Sequence, residues 1–161
     1  MIFGKIKKTM EKNNKLNSPI SDPEIIEKLL PHRKPMIMVD GLHFFSEKKA
    51  ISKLTIVKEN IFVTNGYFSE TGLLEHMAQT AALHIGYKQF LNCSKVKEGF
   101  IGAIKSSKIV SLAKVSETIS TEVEIIYDVG NMTMVKIKSY IDDNIIGNSE
   151  MSTVLKSLKD E

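Results

Sequence analysis

The spacing of apolar residues changes partway along the chain. Between Gly72 and Asn92 apolar side chains occupy nearly every side of a helical wheel, which predicts a long helix enclosed on most of its surface. After residue 99 the period shortens to two, because apolar and polar residues alternate. This alternation predicts strands in the segments GFIGAIKSSKIV, ETISTEVEIIYD, MTMVKIKSYI and IIGNSEMSTVLKSL.

Shorter elements are predicted before this helix. A short helix is expected in SDPEIIEKLL, where Ser21 and Glu24 have the spacing of a capping box and Pro31 follows the last apolar positions. Two extended segments, MIMVDGLHFF and AISKLTIV, are predicted next, with a turn at SEKK. One apolar helix needs a curved sheet to cover it. The predicted fold class is therefore α+β, an antiparallel β-sheet wrapped around one long central helix.

Composition narrows the class of protein. The 161 residues predict a flexible basic N-terminal tail, 1–18, and a single domain, 19–161. Apolar residues make up 42% and no apolar run is long enough for a membrane span. Aromatic residues reach only 7% and the net charge is +3, so nucleic-acid binding is not expected. Cys93 is the only cysteine, which predicts a reducing, cytoplasmic location.

The segment NGYFSETGLLEHMAQTAALHIGY joins a glycine-containing loop to the enclosed helix. That helix carries Glu75, His76 and His84, which are polar groups that a purely structural helix would not need. Its N-terminal N–H groups lack partners within the helix and are suited to bind a developing negative charge.

Two segments resemble the signatures of the hot-dog 3-hydroxyacyl-ACP dehydratases. One is LLPHRKPMIMVD, and the other is GYFSETGLLEHMAQTAA, in which Gly66, Phe68, Gly72, Glu75, Ala78 and Gln79 match. The resemblance covers Ser21 to about Leu155. It implies a hot-dog fold and the conversion of a 3-hydroxyacyl thioester on acyl carrier protein to the trans-2-enoyl thioester. The pathway implied is fatty-acid or polyene pigment synthesis.

The chain departs from that family at its loop. Tyr67 stands where the family has a catalytic histidine, and the loop to the helix is shorter. Gly41 stands where the fatty-acid enzymes usually have arginine. These features are more similar to the dehydratase-like proteins of aryl-polyene and flexirubin pigment clusters.

The resemblance implies roles for four residues of the loop and helix. Glu75 is expected to be the acid that protonates the leaving hydroxyl, although the spacing from Gly72 also fits a helix-capping glutamate. Gln79 is expected to orient that carboxylate. Phe68, Gly72 and Gln79 are assigned to substrate binding, and a packing role for Gly72 stays open.

The base that removes the α-proton is less well defined. Tyr67 is a weak base near neutrality but is able to hydrogen-bond the substrate carbonyl. His32 is the best replacement on motif grounds, with a structural role as the alternative. His76 is expected to point about 100° away from Glu75 around the helix. The four histidines lack metal-ligand spacing, and no metal or cofactor is expected.

An acidic acyl carrier protein is the expected partner. Lys105, Lys108 and Lys114 are assigned to its docking, with a solvated strand face as the alternative. The fold implies a homodimer, or a heterodimer with another hot-dog subunit. Two rival functions remain: a non-catalytic hot-dog partner subunit of a heteromeric dehydratase, and an acyl thioesterase.

Overall fold

The computed structural model describes residues 13–156. It contains two helices, α1 (Pro23–Leu29) and α2 (Glu70–Leu91). The strands are β1 (Gly41–Phe45), β2 (Lys49–Thr55), β3 (Val63–Thr64), β4 (Tyr67–Phe68), β5 (Gly99–Ile109), β6 (Thr118–Val129), β7 (Met132–Ile141) and β8 (Asn144–Leu155). No helix in this part of the chain is long and apolar enough to cross a membrane.

Six strands form one antiparallel sheet in the order β1-β2-β6-β7-β8-β5, and α2 packs against its concave face. Strands β3 and β4 form a separate small hairpin. Alternate residues of β6, from Ile119 to Ile125, are buried against the helix, as the period of two predicted. This arrangement confirms the expected hot-dog fold.

Helix α2 begins two residues earlier than the sequence predicted. Ser69 is its N-cap, and the Ser69 hydroxyl accepts a hydrogen bond from the Gly72 N–H at 3.1 Å. Glu75 therefore lies beyond the first turn, and the capping-glutamate interpretation is wrong. A side chain on Gly72 would come within 2.6 Å of Phe62 and 2.7 Å of Phe68, so this glycine is required by packing.

Helix α1 is capped by Asp22 rather than by the predicted Ser21. The Asp22 carboxylate accepts from the Glu24 N–H at 2.8 Å. The helix ends against Gly86 of α2, where an added Cβ would meet the Leu29 carbonyl oxygen at 1.9 Å. This close approach sets where the chain leaves α1.

The segment MIMVD, residues 36–40, was predicted to be extended, but it is not a strand of the sheet. Its backbone is hydrogen-bonded to side chains of α2 instead. The Met38 N–H donates to Gln79 Oε1 at 2.7 Å, Gln79 Nε2 donates to the Met36 carbonyl at 2.7 Å, and His76 Nδ1 donates to the Met38 carbonyl at 2.6 Å. These bonds satisfy buried backbone groups that a sheet would otherwise satisfy.

The predicted tail, 1–18, falls mostly outside the described residues. Its described part packs against β1: the Lys15 N–H donates to the Phe45 carbonyl at 2.8 Å, and Leu16 is buried. The predicted domain boundary at residue 19 is therefore too late.

We predict that His76 makes stability depend on pH. Burial lowers its pKa from 6.5 to about 4, against the opposing effect of its bond to Met38. The unfolded chain takes up a proton at His76 below pH 6.5 while the folded chain resists it, so stability falls as pH drops from 6.5 towards 4. Urea unfolding should give a loss of about 2 kcal/mol from this group between pH 7 and pH 5.

The matched control is His76→Asn, which keeps a donor near the position of Nδ1 and does not titrate. Its stability should change less over the same pH interval. Equal pH dependence in the two proteins would contradict this account of His76.

Candidate active site

A cavity of about 350 Å³ lies between α2, the end of α1 and the sheet edge formed by β5 and β8. Its helix wall is made of the small or aliphatic residues Ala78, Ala82 and Ile85, and His32 and Glu75 also line it. The cavity is therefore mostly apolar with one group of titratable side chains, a common form for a ligand site.

His32 and Glu75 face each other in this cavity. His32 Nε2 lies 3.6 Å from Glu75 Oε1, and the two side chains are 31% and 25% exposed. The other ring nitrogen, His32 Nδ1, is buried without a hydrogen-bond partner among residues 13–156. An imidazole and a carboxylate at this separation form an acid–base pair within one chain.

Gln79 fixes the position of the Glu75 carboxylate. Its Nε2 donates to Glu75 Oε1 at 2.6 Å, as expected for residues four apart on a helix. Gln79 is fully buried and uses its remaining amide groups on the backbone of residues 36 and 38. Its predicted orienting role is supported by this geometry, but Gln79 does not line the cavity.

Arg33 fixes the backbone beside His32, a function that sequence reasoning missed. Arg33 Nη1 donates to the carbonyls of Glu27 at 3.1 Å, Leu30 at 3.0 Å and His32 at 2.7 Å. Basic residues near a helix C-terminus commonly bond its last carbonyls, so the position of Arg33 just after α1 was the available signal.

Three of the predicted site residues lie elsewhere. Tyr67 is 44% exposed on the β3–β4 hairpin and does not line the cavity. Phe68 is buried in the core and makes an edge-to-face contact with Phe62. The Gly72 N–H is occupied by Ser69, so the substrate-binding roles assigned to Phe68 and Gly72 are replaced by packing roles.

The other histidines are structural. His76 turns away from Glu75 to the Met38 carbonyl, as its helical position predicted. His84 Nε2 lies 2.9 Å from the Ser46 carbonyl oxygen, and burial lowers its pKa. His43 is half-buried in β1, and its pKa is lowered by burial and by the charge of Lys53.

The predicted docking lysines do not border the cavity either. Lys105 forms an ion pair with Glu150 at 3.2 Å, and Lys108 pairs with Asn148 on the same strand pair, β5–β8. Lys114 lies beside the β3–β4 hairpin. Docking at this position is therefore not supported.

The fold and the site define a hot-dog protein with a carboxylate and an imidazole in an apolar cavity. A model of the ApeP-like family, described as ApeP dehydratase, matches residues 24–157. The chain belongs to this dehydratase family. The expected relationship to the dehydratases of aryl-polyene clusters is thereby confirmed; flexirubin remains a prediction.

Relatives and solved structures agree with this assignment. The 3-hydroxyacyl-[acyl-carrier-protein] dehydratase FabZ of Clostridium kluyveri is 27% identical over 78% of this chain and 90% of its own length. The FabZ of Pseudoalteromonas translucida is 26% identical over 86% and 94%. A chain of the dehydratase heterocomplex ApeI:P from Xenorhabdus doucetiae superposes with a TM-score of 0.79 at 11% identity, covering 83% of this chain and 92% of that one.

We predict that Gln79→Met, which keeps the volume but removes all three hydrogen bonds, lowers the free energy of unfolding by about 2–4 kcal/mol. The loss arises because buried groups of Glu75, Met36 and Met38 lose their partner. Urea unfolding measures it. The matched control is Gln89→Met on the same helix, whose side chain makes one more exposed bond to the Lys97 N–H. Equal losses in the two variants would contradict the role of Gln79.

Proposed function

We propose that this chain removes water from a 3-hydroxyacyl thioester carried on acyl carrier protein and releases the trans-2-enoyl thioester. The observation that carries the proposal is the His32–Glu75 pair, 3.6 Å apart in an apolar cavity. Membership of the ApeP-like dehydratase family and similarity to FabZ dehydratases support it.

The two side chains divide the elimination between them. His32 Nε2 takes the proton from the α-carbon, and the electron pair of that C–H bond forms the Cα=Cβ bond. The Cβ–O bond breaks as protonated Glu75 gives its proton to the leaving hydroxyl, which departs as water. The imidazolium then returns a proton to the adjacent carboxylate, so the pair is reset without a net change of protons.

The direct test supplies the purified chain, alone, with a 3-hydroxyacyl carrier protein and follows the product by mass. The loss of one water is expected. Glu75→Gln should lower the rate by at least about 100-fold, because the amide has no proton to donate to the hydroxyl. Full activity in this variant would contradict the acid role of Glu75, and free acid as the product would indicate a thioesterase.

His32→Gln should lower the rate by a similar factor, at least about 100-fold, since the amide is not a base. The matched control is His43→Gln, a histidine in β1 away from the cavity, which should retain the wild-type rate. A dehydrating chain that tolerates loss of His32 would overturn the assignment of the base.

A second candidate function is a partner subunit that completes a heteromeric dehydratase. It is favoured by Tyr67, which replaces the family histidine, and by the outer edge of the sheet. All but one residue of β5 are exposed, including Ile101 at 43% and Ile104 at 46%, and β8 is its only strand partner in the described chain. An unpaired edge of this length is suited to strand pairing with another hot-dog subunit.

Mass measurements separate the two candidates. The chain that is inactive alone but active when mixed with a catalytic homologue would support the partner function. In that case Glu75→Gln in this chain should leave the activity of the mixture unchanged.

We further propose that the carrier protein docks on a basic groove beside the cavity. The groove is about 710 Å³ and shares Pro31, Val96 and Lys97 with the cavity. It is also lined by Lys28, Lys95 and Lys156, and among residues 13–156 none of its four lysines forms an ion pair within 4 Å. Free positive charge at the mouth of the cavity favours an acidic carrier.

We predict that the double variant Lys95→Glu, Lys97→Glu raises KM for the carrier-bound substrate at least about 10-fold, because repulsion replaces attraction at the groove. The KM for the same acyl group on N-acetylcysteamine should be unchanged. Lys48→Glu, in the turn at the opposite edge of the sheet, is the charge-matched control. An equal rise in KM for both substrates would contradict docking at the groove.

A further inference from the structure

The outer face of the main sheet is divided into an apolar half and a charged half. Residues that pair across antiparallel strands share a face, so the register gives the rows that cross β6, β7, β8 and β5. The two apolar rows are Val129–Met132–Val154–Phe100 and Tyr127–Met134–Ser152–Ala103. The two charged rows are Glu124–Lys136–Glu150–Ser106 and Glu122–Lys138–Asn148–Lys108.

The apolar rows are open to solvent. Phe100 is 59% exposed, Val129 57%, Tyr127 50% and Met132 38%. Gly102 lies on the same face, because its added Cβ would contact the Val154 side chain. A continuous exposed patch of this kind on a folded chain indicates an interaction surface. We call these four rows the outer face.

We propose that a second copy of this chain packs on the outer face, related by a two-fold axis that runs along the strands between β7 and β8. Such an axis lays each row over the same row of the copy, with the order of strands reversed. Two sheets packed face to face in this way form an ordinary β-sandwich contact.

Shape in the apolar rows favours this axis. One end of the second row carries Tyr127 and the other end the small pair Ser152 and Ala103. Reversal of the order places the large ring of one copy over the small residues of the other. The two-fold axis therefore brings a protrusion onto a hollow at both ends of the patch.

Charge in the third row favours the same axis independently. Within one chain Lys136 lies 3.7 Å from Glu150. The two-fold axis places Lys136 of each copy opposite Glu150 of the other, and Glu122 opposite Lys108 in the fourth row. A two-fold axis along the rows would instead set apolar rows on charged ones, which costs desolvation of unpaired charge.

The outer face spans about 20 Å by 25 Å, from strands about 4.8 Å apart and outward rows about 7 Å apart. An interface of this order is small, so we expect association that is lost on dilution. The proposal does not depend on the dehydratase activity. It is also separate from strand pairing at the free edge of β5.

Sedimentation velocity on the purified chain over a range of concentrations tests the contact. At high concentration the wild-type chain should have twice the mass of Met132→Lys, which introduces a charge beside the axis. Circular dichroism checks that the variant is folded. A wild-type mass that Met132→Lys does not change would overturn the proposal and assign the face to another occupant or to solvent.

A charge-exchange experiment tests the axis without altering the apolar rows. Lys136→Glu sets carboxylates against carboxylates across the axis, and Glu150→Lys sets ammonium groups against ammonium groups. Each variant alone should have half the wild-type mass. A mixture of the two should recover the larger mass, because the carboxylates of the Lys136→Glu copy then face the ammonium groups of the Glu150→Lys copy. Failure of the mixture to associate, or undiminished association of each variant alone, would overturn the proposed axis.

Discussion

The structure depends on how one buried helix satisfies its polar side chains. Helix α2 is enclosed by the sheet, yet it carries a carboxylate, an amide and an imidazole that need partners. The partners are the backbone groups of residues 36–38, which Gln79 and His76 bind over 2.6–2.7 Å. A segment separated by about forty residues is thereby attached to the helix, and the loop that carries His32 is attached with it.

This attachment explains why the acid–base pair exists within one chain. Gln79 holds Glu75 from one side, and Arg33 holds the backbone at His32 from the other. The loop position that holds a histidine in the related fatty-acid dehydratases is occupied here by an exposed tyrosine on a hairpin outside the cavity. The proposed base therefore comes from the end of α1 rather than from the loop before α2.

The sequence predicted well those elements whose signal is periodic. Helix α2 and strands β6 to β8 follow directly from the apolar spacing. It did not distinguish the buried segment 36–40 from a strand, because alternation reports burial of side chains and not the partner of the backbone. That partner, Gln79, lies far along the chain. The cap at Ser69 was missed because Gly72 and Glu75 offered a competing spacing, and only the position of the first turn decides between them.

Direct chemical labelling of the base is the most decisive measurement. A 3-alkynoyl thioester isomerises to the conjugated 2,3-allenoyl thioester when a base removes its α-proton and the γ-carbon is reprotonated, and a nearby nucleophile then adds to the β-carbon. Peptide mass mapping of the treated chain should find the mass of the whole reagent on His32. Labelling of Tyr67, or a chain that dehydrates its substrate while His32 stays unlabelled, would contradict the account.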